Sequence, residues 1–240
     1  MDDFERDSVI DSFELLEARL LDFLKHVPPT DQNLGVHSPE LASIILDASG
    51  LLDSVFREIS PDPESVGGAQ KHKDDLTMND YEQLYGSKFD LSNCRSYVLV
   101  WPPQVRAPFE EWAHGRHLSW WASQNKLKHS RIRHLRDATL KITLESMCAL
   151  HMVLSLVPDF ADAILRKHWF KTKIGSPGQA LAVLRGDPGW GGIPFLVGTR
   201  LFLLGRGRDG RLPAKVNDFD LDRYHPEDSV LDFFATLTNR

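Results

Sequence analysis

The sequence predicts a mainly α-helical fold, an up-and-down helical bundle with a small C-terminal β-containing (α+β) appendage. Apolar side chains recur at helical spacing in two long N-terminal segments, and a third segment, residues 119–157, contains neither proline nor glycine. After Lys171, glycine and proline become frequent and the apolar residues occur in short runs that are typical of strands. We therefore expect a helical bundle domain in residues 1–170 and a small hairpin-plus-helix element in residues 171–240, packed on the bundle.

Two long helices are expected near the N-terminus. The first covers residues 4–25, and its apolar stripe contains Phe13, Leu16, Leu20 and Phe23. The second covers residues 39–59, because Ser38 is a favoured N-cap residue and Pro39 suits the first helical position.

Shorter elements are expected between the second helix and the central one. Residues 61–76 are polar and predict an exposed loop. Residues 77–85 and 108–114 predict short helices that are each closed by a glycine. The β-branched stretch at residues 97–100 predicts either a strand or an extended crossing.

Residues 119–157 predict one long central helix, unbroken or kinked. At 1.5 Å per residue it would span about 55–60 Å. Its buried stripe is expected to consist of Ile132, Leu135, Thr139, Ile142, Ala149, Leu150, Val153 and Val157. Pro158 ends this helix, and residues 161–170 predict a further short one.

The C-terminal part predicts a hairpin built from the apolar runs at residues 195–197 and 201–204, and a last helix over residues 226–237. Residues 205–210 match the letters of the dinucleotide-binding fingerprint G-x-G-x-x-G. They do not open a helix, and Asp209-Gly210 is typical of a tight turn, so we predict a turn here and no cofactor.

Bulk properties favour a cytoplasmic protein. The formal net charge is −6, which argues against binding to polyanions over the whole surface. The first seven residues are acidic where a secretory signal is basic, and no apolar run is long enough to cross a membrane. We expect Cys94 and Cys148 to be buried thiols. The spacing of the histidines and cysteines along the chain does not match a metal site, so we expect none.

One window of the chain contrasts with this acidic background. Between Glu111 and Asp137 there is no acidic residue, yet the window holds six lysines and arginines, four histidines and three tryptophans. Such a basic, aromatic island predicts a local site for an anion, and for a nucleic-acid phosphate in particular. The expected contact residues are Lys126, Lys128, Arg133, Arg136, Trp120 and Trp121.

Helical spacing places four polar residues beside the core stripe: Asn125, Lys128, His129 and Arg136. Two interpretations stay open, an internal polar network or a site for an anion, a partner or catalysis. His129 is the strongest candidate for chemistry, because its side chain titrates near neutral pH. Asn125 and Arg131 complete the expected catalytic group, since a nearby cation stabilises a phosphate in its transition state.

The pattern Trp-Trp-x3-Asn-Lys-x-Lys-His-x-Arg, beginning at Trp120, resembles bacterial proteins of the HEPN-like class, which occur in toxin–antitoxin and phage-defence systems. The resemblance covers about residues 38–157. It implies a helical, often homodimeric protein and a metal-independent endoribonuclease whose Arg and His lie four to six residues apart at the dimer seam. The chain departs from that spacing, because Arg131 and His134 are separated by only two residues.

Two main functions follow as hypotheses. In the first, the protein binds RNA in a bacterial defence or toxin–antitoxin system, with or without cleaving it. In the second, it is a non-enzymatic interaction module whose polar residues form a seam with a second copy or with a protein partner. A nucleotide or small-molecule sensor is a lower-ranked third, since no base-recognising group of residues stands out in the sequence.

Overall fold

The computed structural model describes residues 1–62, 64–172, 174–190, 193 and 195–206. Over these residues the protein is mainly helical with a β-containing part, as predicted, and the strands form two small antiparallel sheets. The α-helices are α1 (Asp3–Leu24), α2 (Pro39–Ile59), α3 (Met78–Tyr81), α4 (Ser119–His129), α5 (Leu140–Leu156), α6 (Ala161–Arg166) and α7 (Pro177–Arg185). The strands are β1 (Glu64–Val66), β2 (Ala69–Lys71), β3 (Ser96–Val98), β4 (Gln104–Arg106), β5 (Phe195–Gly198) and β6 (Phe202–Arg206).

The first two helices begin where their capping residues are. At α1, the Asp2 side chain accepts a hydrogen bond from the Glu5 amide and the Glu5 side chain accepts one from the Asp2 amide, a complete capping box. At α2, Ser38 Oγ accepts a hydrogen bond from the amide of Leu41, with Pro39 at the first helical position. The bounds of both helices agree with the prediction to within about one residue.

Helix α5 forms the centre of the core. Every residue from Ser146 to Leu156 is buried, so the helix is enclosed on all sides along these turns. Helices α1, α2 and α4 and strands β3 and β6 all pack against it. A helix that is apolar all round needs such an enclosure, and α2 supplies much of it through its own apolar stripe.

The predicted single helix over residues 119–157 is wrong. Helix α4 ends at His129, and the next residue, Ser130, leaves helical geometry with φ −156° and ψ 82°. A turn and a short 3-10 helix (Leu135–Asp137) follow before Thr139 caps α5 by accepting a hydrogen bond from the Ile142 amide.

Tertiary hydrogen bonds explain the break. The amides of Leu140 and Lys141 donate to the carbonyls of Val36 and Leu34 at 2.8 Å and 3.0 Å, so the start of α5 is bonded to the α1–α2 connection. In a continuous helix those donors would have bonded to the preceding turn. No glycine or proline is needed for such a break, which is why the sequence does not show it.

A four-stranded antiparallel sheet in the order β4-β3-β6-β5 lies against α5. Residues 97–98 belong to a strand, one of the two predicted alternatives, and the predicted C-terminal hairpin is formed by β5 and β6. Because β3 pairs with β6, this sheet combines strands from both sides of residue 170. The division into two domains at that position stays a prediction.

The sequence did not predict strand β4, the hairpin β1–β2 or helix α7. The predicted loop at residues 61–76 contains the hairpin β1–β2, whose turn is Gly67-Gly68 with positive φ at both positions. Helix α7 also went unpredicted, although Ser176 caps it and Pro177 begins it. The predicted helix at residues 226–237 and most of the predicted turn at residues 205–210 lie outside the described residues.

A buried carboxylate connects α1 to the β5–β6 hairpin. Glu17 is 2% exposed, and its Oε1 atom accepts hydrogen bonds from the Thr199 hydroxyl and from the Leu201 amide, the latter at 2.8 Å. Burial raises the pKa of this carboxyl group, and the hydrogen bonds partly offset that effect. The contact fixes the hairpin turn against the first helix.

Cys94 and Cys148 are both buried, as predicted. In the described residues no single helix is both long and apolar enough to cross a membrane. Only the pair Leu140–Leu156 and Pro158–Arg166, bent by 79°, has the required length and composition.

His151 lies in the middle of α5 within an aromatic cage. The ring centroids of Phe13, Trp169 and Phe202 are 5.8, 5.9 and 5.8 Å from its own. Neither ring nitrogen has a hydrogen-bond partner among the described residues. Burial without a partner disfavours the imidazolium and lowers the pKa of His151 to about 3.

We expect His151 to make the protein acid-sensitive. Because its pKa is about 3 in the folded state and 6.5 normally, its contribution to stability is complete above pH 6.5 and is lost as the pH falls toward 3. The free energy of unfolding should fall by about 3 kcal/mol from this group between pH 7 and pH 4.

The substitution His151→Leu should flatten that pH dependence and raise stability at pH 7, because it removes two unpaired buried nitrogens. Urea unfolding at pH 7, 5.5 and 4 measures the difference, with His114→Gln at an exposed position as the control. An equally steep acid loss in His151→Leu and in the wild type would contradict the assignment.

Candidate nucleic-acid interface

Helix α4 has a buried face and an open face. The buried face consists of Trp120, Ser123, Gln124 and Leu127. On the other side, Trp121, Ala122 and Asn125 line a groove, and the helix continues one turn further to Lys128 and His129. Asn125 is three residues from Lys128 and four from His129, so these side chains are neighbours on the helix surface.

The groove runs between α4 and the segment that contains α3. Its first compartment has a volume of about 320 Å³ and is lined by Thr77, Asn79, Trp112, His117, Trp121 and Asn125 among others. A second compartment of about 560 Å³ adjoins it and shares Asn79 and Trp112 with it. Glu82, Gln83 and Asp90 line the second compartment.

One wall of the groove is a π-helical turn, Glu82–Gly86, that directly continues α3. Such π-helical turns are rare in proteins, but those that occur are often found at functional sites. Beneath it, the rings of Phe56, Tyr85 and Phe89 stack in succession, with centroids 5.3 and 5.7 Å apart. This aromatic stack gives the wall a rigid base.

The basic loop, residues 126–136, follows the groove along the chain and is mostly exposed. The side chains of Lys128, His129, Arg133 and Arg136 form no ion pair with any described residue. Lys126 lies 3.8 Å from Asp137, which also bonds to His134 Nδ1 at 3.1 Å. Among the described residues, these three cationic side chains and the His129 imidazole therefore have no ion-pair partner that competes with an external anion.

The prediction that Asn125, Lys128, His129 and Arg136 lie beside the core stripe is wrong. All four are exposed, because α4 buries a different face from the one that carries Asn125, Lys128 and His129, and because Arg136 belongs to the separate 3-10 helix. The alternative of an internal polar network is excluded for them by this exposure. Ile132 was expected in the core and is instead 94% exposed.

Two further predicted site residues have structural roles. Trp120 is 1% exposed and its indole N–H donates to the Pro108 carbonyl at 2.8 Å, so it cannot stack on a base. Arg131 donates from Nη2 to the Pro39 carbonyl at 2.6 Å and to Ser43 Oγ at 2.7 Å. These bonds hold the basic loop on the start of α2.

Glu111 and Asp137, the acidic residues at the two ends of the basic window, both form hydrogen bonds with residues inside it. Glu111 Oε2 accepts a hydrogen bond from the Ser119 amide at 2.6 Å, at the first turn of α4. A carboxylate at this position already offsets the positive end of the helix dipole. Any anion site must therefore rely on the basic side chains in the last turn of α4 and in the basic loop, because the C-terminal end of a helix dipole is negative and does not itself attract an anion.

The groove and the basic loop together form a surface with negative charge at one end and positive charge at the other. Carboxylates of Glu82 and Asp90 line one end, and Lys128 and His129 follow Asn125 at the other. Asp90 has left-handed backbone geometry, with φ 54°, and its Oδ1 accepts a hydrogen bond from the Asn93 amide group at 2.7 Å. Among the described residues, no group of three or more His, Cys, Asp and Glu side chains could hold a metal ion.

Sequence reasoning identified Trp121 and Asn125 but not the opposite wall of the groove. Trp112 belongs to the basic window, but Asn79 and Glu82 come from a segment far from α4 along the chain, and their spacing carries no signal of a shared site. Comparison of the chain with protein-family models, with curated proteins and with solved structures found no match.

Arg131 and Arg133 offer a matched pair of substitutions. We expect Arg131→Ala to lower the free energy of unfolding by about 1 kcal/mol, because it removes two hydrogen bonds to α2. Arg133→Ala should change it by less than about 0.5 kcal/mol. Urea unfolding measures both, and hydrogen exchange should show faster exchange in residues 131–137 of the first variant only. Equal effects of the two changes would argue against the tether.

Proposed function

We propose that the protein binds single-stranded RNA along the open face of α4. The observation that carries this proposal is the continuity of the groove with free cationic groups. Trp121 and Asn125 line the groove, and Lys128 and His129 follow one turn later on the same helix. Phosphates would be held by the basic loop, and bases would enter the groove.

Single-stranded RNA fits this surface better than a duplex does. A base can reach Trp121 only if it is unstacked and turned out of its helix. Aromatic side chains next to a cationic track are the usual combination in proteins that bind single strands. The net negative charge of the remaining chain keeps the contact local.

We further propose that the protein is HEPN-like and folds as an up-and-down bundle with a C-terminal β-containing appendage. In this proposal it is a homodimer that acts in the cytoplasm, in a defence or toxin–antitoxin system. The proposal assigns catalysis, if the protein cleaves RNA, to His129 rather than to Arg131, since the latter is bonded to α2. In that reaction the 2′-hydroxyl of a nucleotide attacks the adjacent 3′-phosphate, and the 5′-oxygen of the next nucleotide leaves. His129 assists the proton transfer from the 2′-hydroxyl and the proton transfer to the 5′-oxygen. The products are a 2′,3′-cyclic phosphate and a 5′-hydroxyl end.

A protein-docking function is the second candidate, and Ile132 is the observation that favours it. This side chain is 94% exposed and is flanked by arginines on the basic loop. A protruding apolar residue within a cationic surface is suited to a second copy or to an acidic protein partner.

The triple variant Lys128→Ala, Arg133→Ala, Arg136→Ala tests RNA binding. Each phosphate contact adds about 0.7 to the slope of log affinity against log salt for a single strand, so we expect the slope to become shallower by about 2. Fluorescence anisotropy with a 12-nucleotide RNA at several salt concentrations measures it.

Lys25→Glu on α1 is the control for the charge change, compared with Lys128→Glu. Among the described residues Lys25 pairs only with Asp22, and surface pairs contribute little. Unchanged RNA affinity in Lys128→Glu, together with loss of a dimer in sedimentation, would favour the docking function instead.

The variant His129→Ala separates binding from cleavage. If the protein is a ribonuclease, we expect the rate of cleavage to fall by about 10²–10⁴ while RNA affinity changes little, because a general acid–base contributes on that scale. Gel analysis of 2′,3′-cyclic phosphate ends, with EDTA present, measures the activity. His114→Ala is the matched control, and equal activity in both variants would remove His129 from the reaction.

A further inference from the structure

The groove offers hydrogen-bond acceptors at the end opposite the basic loop. Glu82, Gln83 and Asp90 line this end, together with the shared Asn79. An ionised carboxylate only accepts hydrogen bonds, whereas an amide side chain both donates and accepts. Glu82 forms no ion pair with any described residue, so its oxygens are available to a ligand.

This charge pattern orients a nucleotide in the groove. The carboxylates of Glu82 and Asp90 repel a phosphate, and the side chains of Lys128 and His129 at the other end attract it. A nucleotide would therefore lie with its phosphate toward the end of α4 and its base toward the π-helical turn. Trp121, which is half-buried, lines the space between and offers an apolar face to the base.

We infer that the groove binds nucleobases that carry an exocyclic amino group, namely cytosine, adenine and guanine, in preference to uracil. Amino groups donate hydrogen bonds to the carboxylate and amide oxygens at this end. Uracil presents carbonyl oxygens in their place, which those carboxylates repel. The inference rests on the proposed RNA-binding function and names the class of base that it selects.

The amides of Asn79 and Asn125 strengthen this selection. Both line the first compartment and come from opposite walls, one from α3 and one from α4. An asparagine amide can pair with an amino group and a ring nitrogen of one base at the same time, as it does with adenine. Each of the two compartments, about 320 and about 560 Å³ in volume, has room for a purine as well as a pyrimidine.

The experiment compares 12-nucleotide oligomers of C, A and U by fluorescence anisotropy at one salt concentration. We expect the C and A oligomers to bind about ten-fold more tightly than the U oligomer, a difference of roughly one good hydrogen-bonded pair. In Glu82→Gln, this preference should fall to about three-fold or less, because the amide also donates to uracil. Asp31→Asn removes an exposed carboxylate outside the groove and should leave the preference unchanged.

Trp121 provides a second, independent measurement. Trp121→Ala should weaken binding of all three oligomers by roughly 5- to 100-fold, the range measured for one base–aromatic stack, and Trp121→Phe should restore most of it. Thermal unfolding of each variant identifies any that fails to fold.

The outcomes separate the two proposals. Salt-dependent binding with equal affinity for C, A and U, or a preference that Glu82→Gln leaves intact, would overturn the base selection and leave RNA binding standing. Absence of salt-dependent binding to all three oligomers would overturn RNA binding itself.

Discussion

The enclosure of α5 is the constraint on which the remaining structure depends. From Ser146 to Leu156 this helix has no exposed face, so other elements must cover it on every side. Helix α2, the four-stranded sheet and α4 each cover part of it. Burial on this scale supplies most of the hydrophobic stabilisation, and it also encloses His151 without a hydrogen-bond partner among the described residues. The acid sensitivity that we expect for the protein would thus arise from its core.

The same constraint explains the break before α5. Helix α4 has only one apolar face, whereas α5 is enclosed on all sides. In one continuous straight helix, the polar face of α4 would lie on the same axis as the enclosed helix α5. Instead the chain turns after His129, and the amides at the start of α5 bond to carbonyls of the α1–α2 connection. The turn leaves α4 packed by one face with the other open. It also exposes the basic loop, which Arg131 holds on α2.

The candidate site therefore lies between several elements and is not formed by one helix alone. Helix α4 contributes Trp121 and Asn125, while the opposite wall is built by α3 and the π-helical turn. The aromatic stack of Phe56, Tyr85 and Phe89 beneath that turn ties the wall to α2. A rigid wall facing a helix with free cations is a surface where binding requires little reorganisation.

The sequence by itself determined the long helices α1 and α2, the C-terminal hairpin and the basic window, because apolar spacing, capping residues and local charge are properties of neighbouring residues. Tertiary structure alone decided the break after His129, the burial of Trp120 and the exposure of Ile132. These depend on backbone and side-chain contacts between segments far apart in the chain. Such contacts leave no periodic pattern in the sequence, and the acceptor end of the groove was hidden for the same reason.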